Sequence, residues 1–264
     1  MYYYQATIQY AGTNYAGFQW QPNLKTIQQE INHALSSLLN AQISTMAASR
    51  TDTGVHAFNQ VVKITTHAEI NLNESVSKLN QILPDDIEIL SINSCSGDFK
   101  PNVKTTSKEY LYLFTNKPKS IDIIDQPFVA NFGKALDIKL INQTLPLFQG
   151  EHNFHNFYST GSNVTSTIRL INSIDLNIIN PHELFHETIF TAPLDLHACY
   201  QLKINGNGFL KQMIRHIVSS LWMVGTKKIS PDQLQELIDG KKIEQQLWKV
   251  APPNGLFLNK ITFS

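Results

Sequence analysis

The sequence predicts an α+β fold built from two topologically similar halves. Each half is a ferredoxin-like β-α-β-β-α-β unit with an antiparallel sheet, and the two flank a central cleft. Three observations carry the prediction. Apolar residues of period 2 and period 3.6 alternate through residues 1–92 in that order. A looser version of the order recurs after residue 105. A chain of 264 residues with 42% hydrophobic side chains can fill one large core or two modest ones.

The first half opens with an alternating strand over residues 3–10, then a loop carrying Gly12 and Gly17. Thr26 and Gln29 form a capping-box pair that starts a helix, with Ile27, Ile31, Ala34, Leu35, Leu38 and Leu39 on one face. Ile43–Ala48 reads as a strand, Ser49–Ala57 as a polar loop and Phe58–Thr66 as a second strand. Leu72, Val76, Leu79 and Leu83 recur at helical spacing until Pro84 stops the helix. Ile87–Ile92 is the closing strand.

The second half begins with a strand over Tyr110–Thr115. Leu136–Phe148 has helical spacing, cut short by Pro146. Thr167–Ile179 and Ala198–Ile204 read as strands, and Phe209–Val224 as a strong helix. Ser230-Pro231 is an N-cap with Pro in the first helical position, starting a shorter helix. Leu256–Phe263 is the last strand. The halves divide as 1–104 and 105–264, and the cleft between such halves is where a site is expected.

Composition narrows the function classes. Charged residues are 16% of the chain, a globular rather than a disordered balance. No apolar run approaches the ~18 residues of a membrane span, and Met1-Tyr2-Tyr3-Tyr4-Gln5 lacks the marks of a signal peptide. Cys95 and Cys199 are too few for a disulfide scaffold or a cysteine-based zinc finger, so the expected setting is the reducing cytoplasm. The formal net charge is 0 and gives no support for a nucleic-acid partner. Residues 1–104 carry a net of −2 and residues 105–264 a net of +2. Arg50, Arg169 and Arg215 are the only arginines among 21 basic residues. That scarcity has two readings: drift in nucleotide usage, or arginine kept where a planar, permanently charged fork is needed.

Several motifs fail on their chemistry. His182-Glu183-Leu184-Phe185-His186 matches H-E-x-x-H, but Pro181 precedes it, the chain after it looks extended, and no third ligand follows at a usual spacing. His152 and His155 beside Glu151 are a loose cluster of the same kind, so no metal is expected. Asp52-Thr53-Gly54 lacks the second carboxylate that aspartic proteases require. Gly206 and Gly208 do not extend to a dinucleotide fingerprint.

The segment Ser49-Arg50-Thr51-Asp52-Thr53-Gly54-Val55-His56-Ala57 joins two strands and can present a carboxylate at a sheet edge. Gly54 permits a positive φ, and Arg50 two residues away favours an ionised Asp52. An ionised, positioned aspartate can be a nucleophile. A structural turn with a local Arg–Asp pair accounts for the same residues, and spacing alone favours it.

Arg50-Thr51-Asp52-x-Gly54-Val55-His56-Ala57, followed by Gln60-Val61-Val62, resembles the signature loop of the TruA family of tRNA pseudouridine synthases. Further blocks resemble the family in the same order. They are Tyr10-x-Gly12-x-x-Tyr15-x-Gly17-Phe18-Gln19-x-Gln21, Thr26-Ile27-Gln28, Ser107-Lys108-Glu109-Tyr110-x-Tyr112 and Gly150-Glu151-His152-x-Phe154-x-x-Phe157. Arg169-x-Ile171, Asn207-Gly208-Phe209-Leu210, Met213-Ile214-Arg215-x-Ile217-Val218 and Ala251-Pro252-Pro253-x-Gly255-Leu256-x-Leu258 complete the set. The chain departs from the pattern at Ala11, Ser49 and Lys108-Glu109, and in a longer stretch around 180–197.

The resemblance implies the pseudouridine-synthase fold and an isomerase that turns uridine into pseudouridine without cofactor or metal. Asp52 is implied as the catalytic carboxylate, attacking the base or the sugar C1′ or promoting a glycal. Tyr110 is implied to stack on the target ring, Arg215 to pair with Asp52, and Arg50 to occupy the space of the flipped-out nucleotide. Arg169 falls in a family block and is carried with them as substrate-binding. The family works as a homodimer on the tRNA anticodon stem-loop, at positions 38, 39 and 40. Two further readings stay open: a non-catalytic RNA-binding or tRNA-chaperone relative, and a pseudouridine synthase acting on another RNA.

Overall fold

The structure is a computed structural model that describes residues 1–118, 127–161, 164–241 and 249–264. Strand β1 (Tyr2–Tyr10) is followed by helix α1 (Ile27–Leu39). The Thr26 hydroxyl accepts from the Gln29 amide at 3.3 Å, and Asn40 closes α1 in the left-handed conformation. Of the predicted face, Ile27, Ile31, Ala34 and Leu35 are buried, while Leu38 and Leu39 at the helix end are half-buried. Each large buried member of that face contributes roughly 1.5–3 kcal/mol of transfer free energy. Strands β2 (Ile43–Ala47) and β3 (His56–Thr66) follow. Helix α2 (Leu72–Ile82) ends where Leu83, forced extended by Pro84, leaves the helical region. Strand β4 (Ile87–Ser94) completes the set.

Strand β5 (Thr105–Pro118) is longer than its apolar centre predicts, and β6 (Ala130–Gly133) is a short strand that periodicity does not announce. Helix α3 (Ile138–Thr144) tightens into a 3-10 turn over Leu145–Phe148, with Pro146 inside that turn. Strand β7 (Gly150–Asn153) precedes β8 (Ile168–Ile179), the one-turn helix α4 (Pro181–Leu184) and β9 (Cys199–Gly206). Helix α5 (Met213–Gly225) starts four residues later than the spacing predicts. Gln212, at φ 59°, is left-handed and cannot continue a helix backwards, so Phe209 is released to pack elsewhere. Helix α6 (Pro231–Ile238) has a complete capping box between Ser230 and Gln233. Strand β10 (Leu256–Phe263) closes the chain.

Two compact units divide these elements. The first holds Met1–Lys108, Phe185–Thr191 and Phe257–Ser264. Its strands run β4-β1-β3, with β2 antiparallel to β3 along residues 62–66. That is the ferredoxin-like arrangement, in which each helix crosses one strand before the chain re-enters the sheet. Strand β10 adds a parallel pairing, Phe257 with His56 and Leu258 with Ala57, at the β3 end that β2 leaves open. The second unit holds Glu109–Leu184 and Ala192–Leu256. Its strands run β5-β9-β8-β7, antiparallel from β9 through β7, with β6 parallel to β5. Among the described residues, no helix is long and apolar enough to cross a membrane.

Candidate active site

Asp52 sits half-buried on the loop between β2 and β3, and Arg50 beside it is exposed. The loop is held from several sides within the first unit. Gln60, fully buried on β3, takes the Ser49 amide on its Oε1 at 3.2 Å and donates to the Ser49 carbonyl at 2.7 Å. The same amide group donates to the Tyr10 hydroxyl at 3.3 Å, and Tyr10 shares a 2.8 Å hydrogen bond with Thr51. The Phe18 amide donates to the Thr51 carbonyl at 3.1 Å, and the Val55 amide to the Asp52 carbonyl at 3.1 Å.

Two glycines of the opening loop allow the close approach. A Cβ on Gly12 would lie 2.0 Å from the Val55 carbonyl oxygen, a backbone atom that cannot give way. Gly17, at φ +102°, would place one 2.8 Å from the Thr51 carbonyl. The Gly12 amide donates to His56 Nδ1 at 3.0 Å, which ties the opening loop to the first residue of β3.

The stretch with the apparent zinc motif has a different use. Its helix is a single turn that ends at Leu184, and Glu187 is left-handed at φ 58°, so His182 and His186 do not share a helical face. Among the described residues, no group of three or more His, Cys, Asp or Glu could hold a metal ion. Phe185 and Phe190 are buried in the first unit instead. Phe190 meets Phe58 edge-on at 4.9 Å and His56 at 6.0 Å, while Phe257 stacks on His56 at 4.7 Å and on Phe58 at 4.9 Å. Aromatic pairs of this geometry add ~0.5–1.5 kcal/mol each beyond their burial. They pin the β3 end that leaves the Asp52 loop.

Lys108 approaches the loop from β5. Its ammonium donates to the Ala48 carbonyl at 2.9 Å and to the Ser49 hydroxyl at 3.2 Å. Burial pushes its pKa down to about 8, against an ordinary 10.5. Folding therefore works against the charged form. The penalty is complete below pH 8, where both folded and unfolded chains hold the proton. It fades as pH rises from 8 towards 10.5, where the unfolded chain still binds a proton that the folded chain has lost. The native protein is expected to gain up to about 3 kcal/mol of stability across that window relative to Lys108→Met. Denaturant titrations of both proteins at pH 7 and 10 check this; identical pH dependence would contradict it.

The other three residues marked by the sequence lie in the second unit. Tyr110, on β5, is buried, with the Phe209 ring edge-on at 5.4 Å. Arg215 lies in the first turn of α5. Its Nε donates to the Ala251 carbonyl at 2.6 Å, which fixes the guanidinium against the Ala251-Pro252-Pro253 segment. Neighbouring groups feel this charge. His216 is pushed down to about 4, by burial first and by Arg215 second. Burial raises the Tyr112 hydroxyl, with Arg215 pulling the other way. Arg169, on β8, donates through one Nη to the Ser166 and Ile168 carbonyls at 2.9 and 2.6 Å.

The structure thus assembles Asp52 and Arg50 on one braced loop of the first unit. It places Tyr110, Arg169 and Arg215 on three different elements of the second. The bracing residues Gln60, Tyr10, Phe18 and Lys108 were not singled out as site residues from the sequence. Gln60 carried a weak signal, a polar side chain directly before the apolar pair Val61-Val62 on a strand, where burial demands a partner. Tyr10 carried none, since a tyrosine closing an alternating strand reads as core. Lys108 carried none, because a lysine near a strand start reads as solvated.

The comparisons with known proteins bear on the same residues. A family model described as tRNA pseudouridine synthase matches residues 6–114 and 145–264. Curated relatives named tRNA pseudouridine synthase A align end to end. The one from Ruminiclostridium cellulolyticum is 32% identical over 257 residues, 97% of this chain and 98% of its own. The one from Listeria monocytogenes is 31% identical over 261 residues, 98% of each chain. The one from Leuconostoc mesenteroides is 34% identical over 273 residues, 99% of each. Both matched segments include the residues described above, the Asp52 loop in the first and the Arg215 helix in the second. With a mixed α+β architecture and a family match that spans most of its length, this chain belongs to the tRNA pseudouridine synthase family and has the pseudouridine-synthase fold.

Proposed function

We propose that this chain is the isomerase that converts uridine to pseudouridine in the anticodon stem-loop of tRNA, at positions 38, 39 and 40. The observation that carries the reading is the mounting of Asp52. A half-buried carboxylate stands on a loop whose backbone is held by Gln60, Phe18 and Lys108 and whose Thr51 hydroxyl is held by Tyr10. Holding a reactive group in place before substrate arrives is how positioning lowers a barrier.

The reaction balances within one nucleotide. The N1–C1′ bond breaks, the C5–C1′ bond forms, the C5 proton leaves and N1 takes a proton. No redox partner or cofactor enters that balance. Asp52 acts on the base or the sugar, and Arg215 pairs with it to hold its charge and direction. Tyr110 stacks on the extruded ring and Arg50 fills the space it leaves, which offsets the few kcal/mol that base flipping costs.

RNA affinity comes from segregated charge, since the chain as a whole is neutral. Lysines of residues 105–264, with Arg50 and Arg169, form the RNA face; Lys119 and Lys242 among them lie outside the described residues. Asp86 and Glu88 are engaged elsewhere, by the Tyr15 hydroxyl and the Gln9 side chain. A homodimer in the cytoplasm joins two such faces into one groove for the stem-loop.

The deciding experiment maps pseudouridines in tRNA from cells with and without this gene, and repeats the modification with purified protein on tRNA transcripts. Pseudouridine at 38–40 that disappears with the gene supports the reading. Unchanged tRNA, or sites in another RNA, contradicts it.

A further inference from the structure

Trp20 lies in the loop between β1 and α1 and leaves 53% of its surface in water; Leu24 in the same loop leaves 48%. A single exposed apolar side chain needs no explanation. What sets Trp20 apart is its mount and its place. Its backbone amide donates to Gln28 Oε1 at 2.8 Å, and the same oxygen takes a bond from Gln19. Gln28 is itself buried and donates to the Thr45 carbonyl on β2 at 3.0 Å. The base of the loop is closed by the Ala16 amide on the Lys25 carbonyl at 2.9 Å and by the Gln21 side chain on the Ala16 carbonyl at 3.1 Å. Two residues before Trp20, the buried Phe18 donates its amide to the Thr51 carbonyl at 3.1 Å. Two residues of extended chain reach ~7 Å, so the Trp20 Cα lies within about 12 Å of that carbonyl. A large, half-exposed aromatic side chain therefore stands on a braced loop next to the one that carries Asp52.

We propose that Trp20 is a stacking platform for an unpaired base that neighbours the target uridine. The inference rests on the functional reading above and adds a contact that helps choose the substrate. Unpaired RNA bases are recognised by stacking on aromatic side chains, and contacts to the nucleotides flanking a flipped base select among substrates. An indole suits the task because every base presents a π-face, and a side chain with two rotatable bonds on a braced backbone loses little freedom on binding. Lys25 closes the same loop, with its ammonium 4.7 Å from the centre of the Tyr15 ring, and supplies a cation on the loop that a phosphate backbone would favour.

The test uses wild-type protein, Trp20→Ala and Trp20→Phe on a tRNA that the wild type modifies. It repeats the measurement on that tRNA with an abasic nucleotide placed on either side of the target. Trp20→Ala is expected to raise KM for tRNA on the order of tenfold, within the ~5- to 150-fold that base–aromatic stacking commands, with kcat within about twofold. Trp20→Phe should restore most of the loss. One abasic position should cost the wild type a similar factor and cost Trp20→Ala nothing further, the signature of a shared contact. Unchanged KM in Trp20→Ala, or abasic losses that simply add to it, would overturn the inference while leaving the isomerase reading intact. A change in association state on sedimentation with unaltered tRNA affinity would also overturn it, assigning the indole to a contact between two copies of the chain. Wild-type protein that forms no pseudouridine in any tRNA is a distinct failure, of the functional reading itself and of this contact with it.

Discussion

Asp52→Asn protein is expected to bind tRNA as tightly as the wild type and to form pseudouridine at least ~10³-fold more slowly. Asparagine keeps the shape of the side chain and removes its charge and nucleophilicity. The frame of the loop survives the change, because it runs through the Asp52 backbone carbonyl and through Gln60, Tyr10 and Lys108. A filter-binding measurement and a single-turnover assay on the same tRNA separate the two effects. Turnover near the wild-type rate would remove Asp52 from the chemistry. Lost binding with a lowered melting temperature would instead make Asp52 a structural residue of the turn, the bland alternative that its spacing favours.

Arg215→Lys is expected to lower kcat by ~10–100-fold, with a smaller effect on KM. The charge is retained, so a loss of that size reports geometry. Arg215 spends one of its N–H groups on the Ala251 carbonyl at 2.6 Å, and the planar fork carries that constraint to its remaining donors. A lysine ammonium at the end of a flexible stem cannot hold the carbonyl and aim at a carboxylate at once. The proposed pairing with Asp52 predicts a second signature. With a less well-aimed cation, the carboxylate takes up a proton more readily, so the acid limb of the pH–rate profile moves to higher pH. A variant with wild-type kcat and an unmoved acid limb would dissociate Arg215 from the carboxylate. The partner measurement is a double-mutant cycle with Asp52→Glu, in which coupled residues give losses that do not add.

Elements set by local chemistry were legible in the sequence. Thr26 and Gln29 announced α1, Pro84 announced the end of α2, and Ser230-Pro231 announced α6, because capping and proline sterics act within a few residues. The start of α5 departs from the helical spacing because a backbone conformation overrides it. The run from Phe209 has the period of a helix, yet Gln212 is left-handed, a conformation that no side-chain period encodes. The H-E-x-x-H stretch shows the limit of a pattern. It contains the residue types of a zinc site, but its buried phenylalanine, Phe185, answers to Phe58 and Phe257, residues more than 70 positions away in either direction.

The sequence by itself determined the α+β class, the order of elements in the first half, the loop that carries Asp52 and, through nine ordered blocks, the family. Each depends on short-range patterns or on residue identity at fixed spacing. The tertiary structure alone decided what holds that loop. Gln60, Tyr10 and Lys108 converge on it from β3, β1 and β5, His56 ties β3 to the opening loop, and the segment Phe185–Thr191 joins the first unit. Such contacts form only when strands distant in the chain are laid side by side, and a buried amide or ammonium takes whichever partner that packing supplies. The exposed ring of Trp20 belongs with them, since only the folded loop shows that it is braced and yet left in water.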